Sequence, residues 1–273
     1  QTGAVIEALL VEEKSEGHWS AIVRKAGRIK TGELLEFCSG RLRAVAQERL
    51  EEGKWLLSFE EAELLKERLE EFGLPPLPPY IERRQASDLQ NEEDRERYQT
   101  CFASEPGAIA APTAGLHFTP EILSAIRKRG IDILEVTLHV GLGTFSSIEV
   151  EEIRQHKMHT EFFSVTSQTL EQLKKYRLNQ KKIICLGTTS VRVLETLAQQ
   201  NFQHSSGWTD IFIHAPYEFR MMAGLLTNFH LPKSTLMILV SAFCGRDFLL
   251  SAYKQAIDHN YRFFSYGDCM LIL

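Results

Sequence analysis

The sequence has no Cys-x-x-Cys pair, no long apolar run, no strong excess of either charge and no internal repeat or low-complexity tract. Each absence removes a class of protein. Five cysteines, Cys38, Cys101, Cys185, Cys244 and Cys269, are scattered and odd in number. That argues against a disulfide framework and a thiolate metal site, and makes a reducing cytoplasm the simplest home. No stretch approaches the ~18 apolar residues of a membrane-crossing helix, and no secretory signal is recognisable. The longest apolar run, residues 236–244, contains Ser241 and reads as a buried helix. The net charge of −5 exerts no global pull on nucleic acid, so any RNA contact must come from local patches. Candidates are Arg24, Lys25, Arg28 and Lys30, then Arg127-Lys128-Arg129, then Lys174, Lys175, Arg177, Lys181 and Lys182. Taken singly, each cluster is most simply a solvated face.

What is present suits a globular α/β protein. The 273 residues, 44% of them apolar and 25% charged, suffice for a sizeable core in one or two domains. The chain divides near residue 58. Before it, short apolar segments alternate with turn signals at Gly17, Gly27, Gly32, Gly40 and Gly53, which predicts a small antiparallel β-barrel or curled sheet. A helix over 60–72 follows, with Leu65, Leu69 and Phe72 on one face, ended by Gly73 and Pro75. The proline-rich stretch 74–80 is stiff and extended, a crossing between domains.

Beyond residue 94, helix and strand alternate. Thr119 is a predicted N-cap, with Pro120 at the first helical position and Gly130 past the last turn. Strands are expected over 131–140, 182–186 and 210–214. Helices are expected over 167–177, after Gly187, from Pro232 and over 246–259. This order predicts an α/β sheet with helices on its faces, and such sheets bind ligands at the carboxyl ends of their strands.

Two loops of small residues stand out, Ala111-Pro112-Thr113-Ala114-Gly115-Leu116-His117-Phe118 and Leu138-His139-Val140-Gly141-Leu142-Gly143-Thr144-Phe145. Small residues let backbone N–H groups approach a ligand, and His and Thr bind or move protons. Gly187-Thr188-Thr189-Ser190, between a strand and a helix, places hydroxyls and N–H groups where anions bind, or simply caps the helix. It lacks the lysine and spacing of a P-loop, and Gly141-Leu142-Gly143 lacks the third glycine of a dinucleotide fingerprint. His156-Lys157-Met158-His159 puts two imidazoles three apart, sharing a face if helical. No third metal ligand is recognisable by spacing, so surface histidines, substrate binding and proton transfer stay open. Asn228 and His230 precede an apolar helix and need polar partners or a ligand there. Tyr266, among the aromatics before Asp268, can stack on a base or pack in a core.

Together, the two loops, Asp94-Arg95-Glu96-Arg97-Tyr98-Gln99-Thr100, His156 to His159, Gly187 to Glu195, Leu225 to Leu231 and the segment from Tyr261 to the end resemble the S-adenosylmethionine:tRNA ribosyltransferase-isomerases of the queuosine pathway, the QueA family. The resemblance implies transfer and isomerisation of the ribosyl moiety of S-adenosylmethionine onto 7-aminomethyl-7-deazaguanine at the tRNA wobble position. Epoxyqueuosine-tRNA forms, adenine and methionine leave, and no metal or resident cofactor is required. It also implies an α/β domain carrying an inserted β-barrel, here residues 59–273 and 1–58. Family members begin with a further segment, so this chain is expected to lack the start of its α/β domain, with activity in doubt. A monomer without membrane contact is expected.

For that chemistry His117 and His139 are candidate proton-transfer groups, with Asp268 and Glu195 as carboxylate alternatives. Thr113, Thr144, Thr188, Thr189 and Asn228 are candidates for ribose, methionine or base edges, and Arg192 for a carboxylate or phosphate. Gly115, Gly141 and Gly143 would admit close backbone approach, and His156, His159, His230 and Tyr266 complete the substrate-binding set. Two rival readings are a non-catalytic tRNA-binding fragment and a metal-assisted nucleoside hydrolase built on His156 and His159.

Overall fold

The structure, a computed structural model, describes residues 5–24, 27, 29–78, 80–81, 88–141, 148 and 150–273. By contacts the chain divides into two units, Gln1–Pro76 and Leu77–Leu273.

In the first unit, alternation builds an antiparallel sheet. Strands β1 (Glu7–Ser15), β2 (His18–Arg24), β3 (Glu33–Phe37), β4 (Leu42–Arg49) and β5 (Trp55–Phe59) pair in the order β1-β2-β5-β4-β3. Leu42, Ala44 and Ala46 of β4 and Trp55, Leu57 and Phe59 of β5 fall on one buried face, as a two-residue period requires. No ladder among the described residues joins β1 to β3, so the sheet is open rather than the closed barrel expected. Helix α1 (Leu65–Phe72) joins this unit through Leu65 and Leu69, which pack in its core, so the contact boundary falls after Pro76 and not near residue 58.

The second unit is mixed α/β, and one helix organises it. Its elements are α2 (Asp88–Arg97), α3 (Pro120–Lys128), β6 (Thr137–His139), β7 (Glu161–Ser164), α4 (Ser167–Leu178), β8 (Ile183–Leu186), α5 (Gly187–Gln199), β9 (Ser206–Thr209), β10 (Met222–Asn228), α6 (Thr235–Cys244), α7 (Arg246–Asp258) and β11 (Cys269–Ile272). One three-stranded sheet runs β11-β10-β8, with β10 parallel to β8 and antiparallel to β11. A second runs β6-β7-β9, all antiparallel. Helix α5 packs on β8 and β10 and also reaches the second sheet, where the Thr196 and Thr209 hydroxyls lie 2.7 Å apart. Covered on both sides, it buries every residue from Val191 to Ala198, including Arg192 and Glu195.

Local signals placed most elements. Thr119 Oγ1 accepts from Ile122 N at 3.4 Å, and Pro120 opens α3. Helix α6 starts at Thr235 rather than Pro232, because Ser234 takes the N-cap, accepting from Met237 N at 3.2 Å. The strand expected over 131–140 shrinks to Thr137–His139, since its neighbour β7 offers partners only to those residues. The same limit leaves 210–214 outside a ladder, β9 ending at Thr209 opposite Glu161. Among the described residues, no single helix is long and apolar enough to cross a membrane.

Candidate functional site

The register places a cleft. Leu186 of β8 pairs with Leu226 of β10 in parallel, so the carboxyl ends of both strands lie together, and Asn228 pairs with Cys269 at the start of β11. The chain leaves β8 through Gly187, whose φ of +82° favours glycine, and enters α5 directly. Among the described residues no side chain caps α5, which leaves its first N–H groups available to a ligand at the positive end of the helix. Thr188 and Thr189, the turn after Pro112, the loop after β10 and the Phe264–Ser265 bend wall a cleft of about 820 Å³, open solvent included.

A polar chain runs along one side of it. Thr113 Oγ1 donates to Asn228 Oδ1 at 3.2 Å, and Asn228 Nδ2 lies 3.3 Å from His117 Nε2 and from the carbonyl oxygen of Phe264. The amide nitrogen can only donate, so His117 Nε2 is the acceptor and the imidazole is neutral in this arrangement. Burial pushes the His117 pKa below its ordinary value, and nearby Asp268 partly opposes the shift. On the other side His230 Nε2 lies 2.8 Å from Thr227 Oγ1, and burial lowers its pKa to about 4.

Of the residues singled out from sequence, Thr113, Thr188, Thr189, Asn228 and His230 line this cleft, and His117 joins it through Asn228. Others lie elsewhere. Glu195 is fully buried; its carboxylate accepts the backbone N–H groups of Arg220, Met221 and Met222 at 2.9–3.2 Å and the Tyr217 hydroxyl. Arg192 donates to Glu161, both almost wholly buried, and Glu161 also accepts the N–H of Gly141 at 3.0 Å. Asp268 accepts from Arg262 N at 2.7 Å within the turn before β11. Tyr266 donates to Asp94 at 2.9 Å and packs edge-on against Tyr98. Gly115 is buried, and a Cβ there would stand 3.0 Å from Thr100 Cγ2. His139 packs against Gly107 and Phe162. Residues 156–160 are not helical, so the three-residue spacing does not bring His156 and His159 onto one helix face; His156 packs against Phe212. Gly143 and Thr144 lie outside the described residues. No group of three potential metal ligands occurs among the described residues.

Comparison with known proteins decides the family. The profile described as "Queuosine biosynthesis protein" matches residues 1–272. The chain belongs to the queuosine biosynthesis protein family.

Relatives within this family include an S-adenosylmethionine:tRNA ribosyltransferase-isomerase of Staphylococcus epidermidis, 46% identical over 275 residues. That match covers all of this chain and 79% of the relative. The protein of the same name from Thermotoga petrophila is 47% identical over 274 residues, covering all of this chain and 78% of its own length. A solved structure titled as an S-adenosylmethionine tRNA ribosyltransferase from Thermotoga maritima is 35% identical, covering 99% of this chain and 75% of that one, with a TM-score of 0.49.

Two cleft residues of this queuosine-family chain carry weak sequence signals. Tyr80 closes the proline-rich stretch read as a crossing, yet it lines the cleft, its hydroxyl 2.6 Å from Ser265 Oγ and its ring 5.3 Å from Phe264. A lone aromatic after prolines was the one available hint. Ser265 becomes polar lining only because the chain bends back beside Asn228.

Proposed function

We propose that this queuosine-family chain works as an S-adenosylmethionine:tRNA ribosyltransferase-isomerase through the cleft at the ends of β8 and β10. The activity is that of relatives matched along the whole chain, and this full-length match carries the reading. The acceptor is 7-aminomethyl-7-deazaguanine in the tRNA anticodon, S-adenosylmethionine is a co-substrate, and no resident metal or cofactor takes part.

The chemistry asks for one base, one acid and a set of donors. A base removes a proton from the carbon beside the sulfonium, which that positive charge acidifies. Adenine departs with a proton from an acid, the acceptor amine attacks, and epoxide closure expels methionine. His117 suits the base: it is neutral, and Asn228 holds its ring through Nε2, whose lone pair takes the proton once the substrate displaces that amide. The uncapped start of α5, with Thr188 and Thr189, suits a carboxylate or ribose hydroxyls, and Tyr80 with Phe264 offers an aromatic wall. Glu195, with its carboxylate engaged by three N–H groups, serves as a brace between α5 and β10. The same family reading makes the small unit an insertion, the protein a monomer and its location the cytoplasm. The one-sided apolar faces of β4 and β5 support a curled sheet.

The test is adenine release from S-adenosylmethionine with and without tRNA carrying the 7-aminomethyl base. Release is expected only with the modified tRNA, and His117→Ala should lower it by roughly 10²-fold or more. Release without tRNA would instead favour a nucleoside hydrolase, and tRNA binding without release a binding-only protein.

A further inference from the structure

The outer face of the β6-β7-β9 sheet carries a row of rings. His139, Phe162 and Trp208 sit directly opposite one another across the three strands. Their ring centroids are 5.7 Å and 5.5 Å apart, both edge to face. The period of two explains the row: Glu161, Phe163 and Thr209 turn inward and are buried, so Phe162 and Trp208 turn out. Trp208 is 65% exposed, an unusual cost for so large an apolar ring unless something covers it.

The pattern continues past the ladder. Ile213 is buried, and Phe212 and His214 flank it; Phe212 lies between His156 at 5.2 Å and His214 at 5.1 Å. His214 in turn borders a second cleft whose lining, among the described residues, includes Lys233 and Arg246 and no carboxylate. The rings also adjoin the first cleft: Val140, next to His139, lines it, and Ser234 lines both clefts. One carboxylate, Asp210, occupies the outward alternation between Trp208 and Phe212.

We infer that this face is a stacking platform for unpaired nucleotides of the tRNA substrate, with Trp208 and Phe212 as its two stacking rings and Lys233 and Arg246 receiving the backbone phosphates at one end. The inference rests on the tRNA reading above. An enzyme acting on a base must take it out of its stack, and the neighbouring nucleotides then lose stacking partners. A sheet face with aromatic rings on adjacent strands is a general solution for holding such bases, and a cleft with two cations in its lining complements phosphate.

The experiment is equilibrium binding of substrate tRNA without S-adenosylmethionine, alongside KM for tRNA. Trp208→Ala and Phe212→Ala should each raise Kd by about 5- to 100-fold, the range for losing one base–aromatic stack. The loss should appear in KM for tRNA, and Trp208→Phe should restore most of it. Trp208→Ala should leave the slope of log Kd against log salt in place, whereas Lys233→Gln should flatten it by about 0.7. A single-stranded oligonucleotide should compete and a fully paired duplex should not. Unchanged Kd and KM in both alanine variants, with melting temperatures like the parent's, would overturn the platform. So would a dimer in light scattering that Trp208→Ala dissociates, since the face would then cover a second copy. Kd is read without turnover, so a chain that binds tRNA through these rings but releases no adenine sinks only the catalytic reading.

Discussion

Asn228 holds His117 in one protonation state: its side-chain nitrogen lies 3.3 Å from His117 Nε2, while its oxygen accepts Thr113 Oγ1 at 3.2 Å. The two residues are far apart in the chain, yet the amide's orientation, fixed by the Phe264 carbonyl that can only accept from its nitrogen, decides which imidazole nitrogen is free of a proton.

Asn228→Asp should therefore move the pH profile of adenine release. Burial lowers the His117 pKa, so in the parent the loss of rate on acidification sets in below the ordinary histidine range. A carboxylate at position 228 would favour the imidazolium and shift that acid limb upward, by about one pH unit, at little change in shape. Rate against pH between 5 and 9 reads the shift. An acid limb that stays put would remove His117 from the proton-transfer role.

His230 should make the fold sensitive to acid. Its pKa falls to about 4 in the folded chain, below the unfolded value near 6.5. The unfolded state then binds the extra proton first, so the associated stability is complete above about pH 6.5 and is lost as the pH falls toward 4. On the order of 2–3 kcal/mol should disappear across that window. Urea melts at several pH values, compared with those of His230→Gln, should show the parent's steeper decline.

Arg192 and Glu161 form a buried ion pair, 5% and 4% exposed. Arg192→Met should cost about 3–5 kcal/mol by leaving a buried carboxylate without its cation. Adding Glu161→Gln should recover much of that loss, because the isolated charge is then gone. A double-mutant cycle in urea measures it. Additive losses would mean that the two side chains do not act as a pair.

Several features follow from the amino-acid order alone. Alternating apolar residues place β2, β4 and β5, and Thr119-Pro120 starts α3, because periodicity and capping act between residues close in the chain. The family words were equally local, and so was the clustering of small residues with histidine and threonine. Other features needed the tertiary structure. The spacing of His156 and His159 allowed a helix, but the segment runs unhelically into β7. Glu195 reads as a candidate catalytic carboxylate in the sequence; only the packing of α5 beneath the entry to β10 turns its oxygens toward the N–H groups of Arg220, Met221 and Met222. Barrel closure depends on whether β1 and β3 meet, a pairing no short-range signal reports. The sequence by itself determined which residues could do the chemistry. Which of them share a cleft was decided by tertiary packing: the register of β8 and β10 sets Thr188 near Asn228, and the turn from Thr113 to His117 packs on β10 and α5 and bonds to Asn228.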